Sequence, residues 1–284
     1  MKETIVVWFS CGAASAVALQ ETIKRYGKTH IIRAVNNPVK EEHPDNQRFL
    51  RDVEKWLNIE VETCTNPDYP NHSCVEVWED RQYMSGVAGA PCTMELKKRA
   101  RQHWENNNHF DHLVLGFTLD EKARAERFKF TERSNVLDVL IDAELTKDDC
   151  FQMIADAGIR LPEMYFLGYP NANCIGCVKS SSPAYWNHVR KVHPAEFLVR
   201  AKQSRKIGCK LVICHPKYLP FCSKFNGEWY DTRTNTCLHV ESKGGKRKLK
   251  SPRIFLDELP STVRAGKLKG MNIECGIFCE EKML

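Results

Sequence analysis

The chain has 284 residues, a net charge of +6 and 42% hydrophobic residues, the balance of a soluble globular protein. It is long enough for one large domain or two small ones, and no apolar run approaches transmembrane length. The modest positive charge permits an anionic ligand or a nucleic acid without demanding either.

Thirteen cysteines are many for such a chain, and their odd number argues against a fully paired disulfide framework. Met1-Lys2-Glu3 leads into a strand rather than a signal peptide, so a cytoplasmic protein is expected. In a reducing compartment the thiols are expected to bind metal or a cluster, or to act in catalysis.

Ile5–Phe9 reads as a strand and Ser15–Tyr26 as a helix. His30–Val35 is a second strand. Pro44–Leu57 places Phe49, Leu50, Val53, Trp56 and Leu57 at helical spacing. Ile59–Glu62 reads as a short strand, Cys74–Tyr83 and Thr93–Asn106 as helices, and His112–Phe117 as a strand. A charged helix over Leu119–Arg133 and a strand over Val136–Ile141 complete the run. Strands alternating with helices imply α/β architecture, a doubly wound and mostly parallel sheet. Ligands of such sheets sit at the carboxyl ends of the strands.

Past residue 143 the pattern changes, so a nucleotide-binding domain is expected over 1–143 and a helical, cysteine-rich region over 144–284. Thr146 caps a helix running to Ala157-Gly158. Pro162–Ser182 is loop-rich, and helices follow around Ala184–Val192 and Pro194–Lys206. Residues 208–240 read as short strands carrying Cys209, Cys214, Cys222 and Cys237, whose spacing is irregular for a zinc site. Ser242–Ser251 is a basic segment without apolar periodicity, suited to nucleic-acid phosphates or simply a solvated loop.

Four groups could carry chemistry. Ser10-Cys11-Gly12-Ala13-Ala14-Ser15 joins a strand to a helix through small residues, the arrangement that aims backbone N–H groups at a phosphate. It matches neither the Walker loop nor the dinucleotide fingerprint. Asn36-Asn37-Pro38, followed by Glu41, Glu42, His43 and Asp45, would line the same crevice. Gly116 through Arg127 follows a later strand; there Glu121, Arg124 and Arg127 either grip phosphates or form a salt-paired helix face. Cys174-x-x-Cys177 is spaced for metal or an Fe–S cluster, and Cys92 opens a helix whose dipole favours a thiolate. Cys64 and Cys150 read as small buried hydrophobes.

Together, and in this order, the segments resemble the phosphoadenosine-phosphosulfate reductase-like branch of the PP-loop ATP pyrophosphatases. Ser10–Ser15 resembles the S-G-G-x-D-S loop of that family. Asn36-Asn37 with Glu42-His43-Pro44-Asp45 resembles the segment after its second strand. Pro91-Cys92-Thr93-x-x-x-Lys97 resembles its cysteine–lysine segment, and Gly116-x-x-x-Asp120-Glu121-x-x-Arg124 its G-x-R-x-x-E-S-x-x-R. Cys174-x-x-Cys177 falls where several members carry cluster ligands. The resemblance spans roughly residues 4–190. Cys11 stands where the family has a glycine and Ala14 where it has an aspartate. One cysteine precedes Thr93 where cluster-containing reductases have two. Glu274-Cys275-Gly276-Ile277 approaches the E-C-G-x-H tail without matching it.

The resemblance implies an adenine nucleotide such as ATP on Ser10, Cys11, Gly12 and Ser15, with Asn36, Asn37, Gly116, Glu121, Arg124 and Arg127 around it. It also implies a [4Fe–4S] cluster on Cys92, Cys174 and Cys177, with Cys279 as a further candidate ligand and Mg2+ or Zn2+ as alternative ions. Cys92 and Cys275 are the candidate catalytic thiols. Three activities stay open: ATP-dependent sulfur transfer to tRNA or DNA with a sulfur-donor protein, sulfonucleotide reduction, and nucleotide-dependent regulation or DNA modification with a structural metal. A homodimer is compatible with each.

Overall fold

A computed structural model describes residues 2–86, 88–242 and 245–263. The chain opens with β1 (Thr4–Trp8), α1 (Ala13–Tyr26), β2 (Ile31–Asn36), α2 (Asp45–Leu57) and β3 (Val61–Thr63). It continues through α3 (Cys74–Arg81), α4 (Pro91–Thr93), a π-helical segment (Met94–Arg99) and α5 (Ala100–Asn106). β4 (His112–Val114), α6 (Lys122–Thr131), β5 (Val136–Leu137), α7 (Lys147–Asp156) and α8 (Glu163–Phe166) follow.

Five strands form one sheet in the order β3-β2-β1-β4-β5, and every neighbouring pair is parallel. The alternation of β1 explains why both faces are covered. Ile5 and Val7 point into one core with Phe9, Val17, Leu19, Phe49, Val53 and Ile154. Val6 and Trp8 point into the other with Ala100, Trp104, Ala125 and Phe128. The first core is built by α1, α2 and α7, the second by α5 and α6. A strand buried on both sides reads as a continuous apolar run, which is what Ile5–Phe9 is. The α/β, doubly wound parallel fold is therefore established.

Several expected elements are shorter than the sequence pattern implies. β5 keeps two residues of the expected strand over Val136–Ile141; Val139 and Leu140 are buried in a turn instead. The expected helix from Thr93 contains the π-helical segment, a geometry frequent at functional sites. The loop-rich stretch after Pro162 holds the single turn α8.

Two compact units divide the described chain, one of residues 2–77 and 92–174 and one of residues 78–91 and 175–263. The first unit carries the sheet, and α7 packs on α1 within it, beyond residue 143. In the second unit α9 (Pro183–Val192) and α10 (Pro194–Ile207) pack through Trp186 and Phe197, with the Arg190 guanidinium 4.3 Å from the Phe197 ring centroid. β6 (Val212–Ile213) pairs with a later strand; β7 (Cys222–Phe225), β8 (Glu228–Asp231) and β9 (Thr236–Cys237) form a small antiparallel sheet. β10 (His239–Glu241) and β11 (Arg247–Leu249) form a hairpin, and β12 (Arg253–Ile254) is the partner of β6. Part of the basic segment expected to be irregular is thus strand: Lys248 lies opposite Val240.

Within the first unit Asp45 ties α2 to the segment before α8. Its Oδ2 accepts the Glu163 N–H at 2.8 Å, and its carboxylate takes two bonds from Arg48, which also donates to the carbonyls of Arg160 and Leu161. The Arg48 hydrogen bonds hold the Asp45 carboxyl down at a pKa of about 2, below its ordinary 3.8. A depressed carboxylate contributes stability above its unfolded pKa and loses it as pH falls toward the folded one. Asp45→Asn should therefore lower the urea midpoint at pH 7 and flatten the loss of stability between pH 4 and 2, measured by chemical denaturation across that range.

Candidate functional site

Strand order reverses between β1 and β4, so the crevice at their carboxyl ends is the switch point where parallel sheets bind ligands. The loop after β1 sits there. Ser15, in the first turn of α1, braces it: its Oγ accepts the N–H of Ser10 at 3.1 Å and of Gly12 at 3.3 Å and donates to the Gly12 carbonyl at 2.9 Å. The Ser10 hydroxyl reaches the same oxygen at 3.2 Å. Cys11 takes φ +56, a left-handed conformation that costs a non-glycine residue about 1 kcal/mol or more. The Tyr165 hydroxyl accepts the Ala13 N–H, and burial raises its pKa to about 12.

From the other side of the switch point, Gly116 follows β4 and packs against this turn. A Cβ there would stand 2.8 Å from the Ser15 nitrogen and 3.0 Å from the Ala14 carbonyl carbon. The glycine is thus required by close backbone approach. Glu121 and Arg124 follow on the same side. Arg124 is 2.6 Å from Glu121 and lies 5.0 Å over Phe117, while Arg127 is exposed on α6.

Asn36 and Asn37, at the end of β2, are buried and donate inward, Asn36 to the Phe9 carbonyl at 2.7 Å and Asn37 to the Cys64 carbonyl at 2.6 Å. Asn36 also approaches the Cys11 sulfur at 3.5 Å. These amides shape the crevice wall. The next turn supplies charge. Glu42 pairs with Lys97 at 3.4 Å, both side chains largely buried. Lys97 and Glu42 both act electrostatically on Cys11, whose thiol is pushed well above its usual pKa by burial first and Glu42 second. The π-helical segment thus brings a buried ammonium within electrostatic range of the loop that follows β1.

The cysteines resolve into distinct environments, and no disulfide joins those among the described residues. Cys92 and Cys174 each act on Cys74, a cysteine at the start of α3. The Cys74 thiol is within hydrogen-bonding reach of both, and these contacts, with burial, raise its pKa well above the ordinary thiol value. All three are buried. Glu41 holds the Cys74 end: its carboxylate accepts the Ser73 hydroxyl at 2.7 Å and the Cys74 N–H at 2.7 Å. Asn46 holds the Cys174 end, donating to the Ala172 carbonyl at 3.1 Å and approaching Glu42 at 3.5 Å. A single stretch, residues 41–46 at the end of the loop after β2 and the start of α2, therefore touches all three cysteine-bearing segments. The Asn37 and Asn46 side-chain carbonyls and the Thr93 hydroxyl are buried without a hydrogen-bond partner among the described residues, a cost that a polar ligand can relieve.

Cys177 falls in the second unit, where its N–H donates to the Tyr185 hydroxyl at 2.7 Å. Cys275 and Cys279 lie outside the described residues. Cys64 and Cys150 are buried, and burial lifts each thiol to about 12, as befits inert core groups. Cys209, Cys214, Cys222 and Cys237 occupy separate places. Cys209 meets the Ser85 carbonyl, Cys222 acts electrostatically on Cys214, and Cys237 lies with Glu228 and His239. The last three bring ligand atoms within 4.8 Å of one another. Arg247 already neutralises that group, 2.5 Å from Glu228 and 3.5 Å from the Cys237 sulfur. The Nδ1 lone pair of His239 is taken by the Trp229 N–H at 3.2 Å.

Gly116→Ala tests the close approach. The added methyl meets backbone rather than a yielding side chain, so the variant should lose about 1–3 kcal/mol of stability in urea denaturation. Gly158→Ala is a poor control because φ there is +71, whereas an exposed alanine change such as Lys122→Ala should stay within about 0.5 kcal/mol.

No protein-family model matches the chain, and no curated protein matches its sequence. Among solved structures, the U34-tRNA thiolase NcsA of Methanococcus maripaludis, with its [4Fe-4S] cluster, is similar over 75% of this chain and 75% of its own. The TM-score is 0.43 and the identity 13%. The α/β assignment rests on strand order and helix layering, not on this likeness.

Proposed function

We propose that the protein is a nucleotide-dependent sulfurtransferase: it activates an oxygen of a nucleic acid with ATP and replaces that oxygen by sulfur. One observation carries the reading. Lys97 acts electrostatically on Cys11 of the loop after β1 and belongs to the same continuous helical run as Cys92, which with Cys174 acts on the Cys74 thiol. Anion-binding elements and a thiol-rich group therefore share one compact unit and are coupled through a buried charge.

In this reading the triphosphate lies on the backbone of Ser10–Gly12 and the first turn of α1, where N–H groups and the helix dipole favour anions. Lys97 offsets phosphate charge, and Glu42 holds Lys97 in place. The acceptor oxygen attacks the α-phosphorus, the bond to the β-phosphate oxygen breaks, and pyrophosphate leaves. Sulfide then attacks the activated carbon and AMP departs with the oxygen. Three buried thiols from separate segments fit a metal or an iron–sulfur cluster by the chemistry of the donor set. A [4Fe–4S] cluster bound there would supply the sulfur nucleophile. The adenylate step rests on the chain's own loop, in which Ala14 offers no carboxylate for a metal ion, so Mg2+ would have to enter with the nucleotide. The exposed Lys246, Lys248 and Lys250 suit the phosphates of the acceptor, tRNA or DNA. The basic segment Ser242–Ser251 and the mismatch of Glu274-Cys275-Gly276-Ile277 to an E-C-G-x-H tail favour this reading over sulfonucleotide reduction.

The test is product analysis on anaerobically purified protein with ATP, sulfide and bulk tRNA or single-stranded DNA. Release of AMP and pyrophosphate, with thiolated nucleoside in the digest, is expected. Lys97→Ala should reduce it at least about tenfold, as loss of a charged phosphate contact does. Sulfite release from a sulfonucleotide would instead establish the reductase, and nucleotide binding with neither product would establish a regulator.

A further inference from the structure

We propose that the β10–β11 hairpin is a docking ribbon for single-stranded nucleic acid, along which Lys246, Lys248 and Lys250 contact successive phosphates of one strand. The proposal deepens the sulfur-transfer reading and rests on it only for the partner's being a nucleic acid.

The pairing register sorts the charges of the hairpin. His239 lies opposite Leu249, Val240 opposite Lys248 and Glu241 opposite Arg247. The pairing continues past the strand ends: the Ser242 N–H and hydroxyl both donate to the Lys246 carbonyl, and the Lys250 N–H donates to the Leu238 carbonyl. Opposed residues of an antiparallel pair share a face, and neighbours along a strand take opposite faces. One face therefore carries Lys246, Lys248 and Lys250 on one strand, with Leu238, Val240 and Ser242 on the other. It holds three cations and no carboxylate. Arg247 and Glu241 belong to the opposite face.

That opposite face is the one that is anchored. Arg247 reaches Glu228 at 2.5 Å and the Cys237 sulfur at 3.5 Å, and the His239 ring accepts the Trp229 N–H at 3.2 Å. The Leu238 N–H also donates to the Trp229 carbonyl at 2.7 Å. These bonds hold the ribbon on β8 and turn the lysines outward. Lys246, Lys248 and Lys250 are exposed, Val240 is 45% exposed, and none of the three lysines forms an ion pair among the described residues.

The spacing of the row suits one strand of a polyanion. Alternate residues of an antiparallel strand stand about 7 Å apart, close to the step between successive phosphates, so each ammonium can meet its own phosphate. Lysine is a hydrated point charge without the fork that reads a base edge, so the row tracks backbone rather than sequence. A bare two-stranded ribbon can enter the major groove of a duplex. This ribbon is backed by β8, which leaves one face to offer. Val240, opposite the middle lysine, gives that face an apolar spot that an unstacked base can cover. A duplex keeps its bases stacked inside and has no use for it.

The experiment uses the full chain and labelled oligo(dT) and oligo(U) of about 15 nucleotides, the length that one compact binding surface covers. Binding is followed by fluorescence anisotropy between about 50 and 200 mM salt. The wild type should bind both, more weakly as salt rises. The triple variant Lys246→Ala, Lys248→Ala, Lys250→Ala should bind at least about tenfold more weakly, with a log–log salt slope shallower by about 2, at about 0.7 per phosphate contact. Lys248→Ala alone should flatten the slope by about 0.7. Lys246→Arg, Lys248→Arg and Lys250→Arg together should keep the binding, and Lys202→Ala, exposed on α10, should match the wild type. A folded triple alanine variant with wild-type affinity and slope overturns the proposal, as does a wild type that binds neither oligonucleotide. Should that variant fail to fold by circular dichroism, the slope of Lys248→Ala decides. Tighter, lysine-dependent binding of a duplex of the same length overturns the single-stranded occupant. Binding to phosphatidylserine vesicles in place of oligonucleotides overturns the nucleic acid. Thiolation assays keep the two readings apart: lysine-dependent binding without AMP or thiolated nucleoside supports the ribbon and overturns sulfur transfer, whereas thiolation and binding untouched in the triple variant overturn the ribbon alone.

Discussion

The stretch over residues 41–46, which ends the loop after β2 and opens α2, is the constraint on which the candidate site depends. Glu41 caps the turn that presents Cys74, Glu42 neutralises Lys97 on the run that begins at Cys92, and Asn46 pins the loop that leads to Cys174. Hydrogen bonds to an ionised carboxylate are worth about 1.5–3 kcal/mol each, more than those between neutral groups. Two adjacent carboxylates and one amide thus gather segments that have no local reason to meet. The stretch can do this because it follows β2, next to the central strand, where the sheet delivers its loops to one edge.

That delivery is a property of parallel sheets. All five strands point the same way, so the loops after β1, β2 and β4 leave the same side. Reversal of strand order between β1 and β4 opens a crevice there. Gly116 closes the crevice floor onto α1, and Ser15 ties the loop above it into a rigid turn. Cys11 is strained in the loop after β1, and Asn37, Asn46 and Thr93 carry buried polar atoms without a hydrogen-bond partner among the described residues. Strain and unpaired polar groups lower stability, a cost that bound ligand can offset.

Much of this was legible in one dimension. The apolar run Ile5–Phe9, buried on both faces, announces a central parallel strand. The amphipathic spacing of Phe49 and Val53 finds α2, and small residues between strand and helix find the loop. Glu121 and Arg124 were readable only as an ambiguous pair, and the structure keeps them paired with each other. Cys74 was not legible at all. A cysteine at the start of a helix carries no local signal, and its meaning comes from two thiols far away in sequence. Conversely, Cys177 shares a metal-like spacing with Cys174, yet spacing alone says nothing of where either thiol points.

By itself the sequence determined the alternation of strands and helices, because burial on one or two faces writes a period into the side chains. It also determined which residues could bind anions or metals, since that is a matter of chemical type. Only the tertiary structure decided which of those residues share a place. Electrostatic and thiol contacts fall off within a few ångströms, and the backbone route between them, through the 41–46 stretch and the switch point of the sheet, has no counterpart in sequence distance.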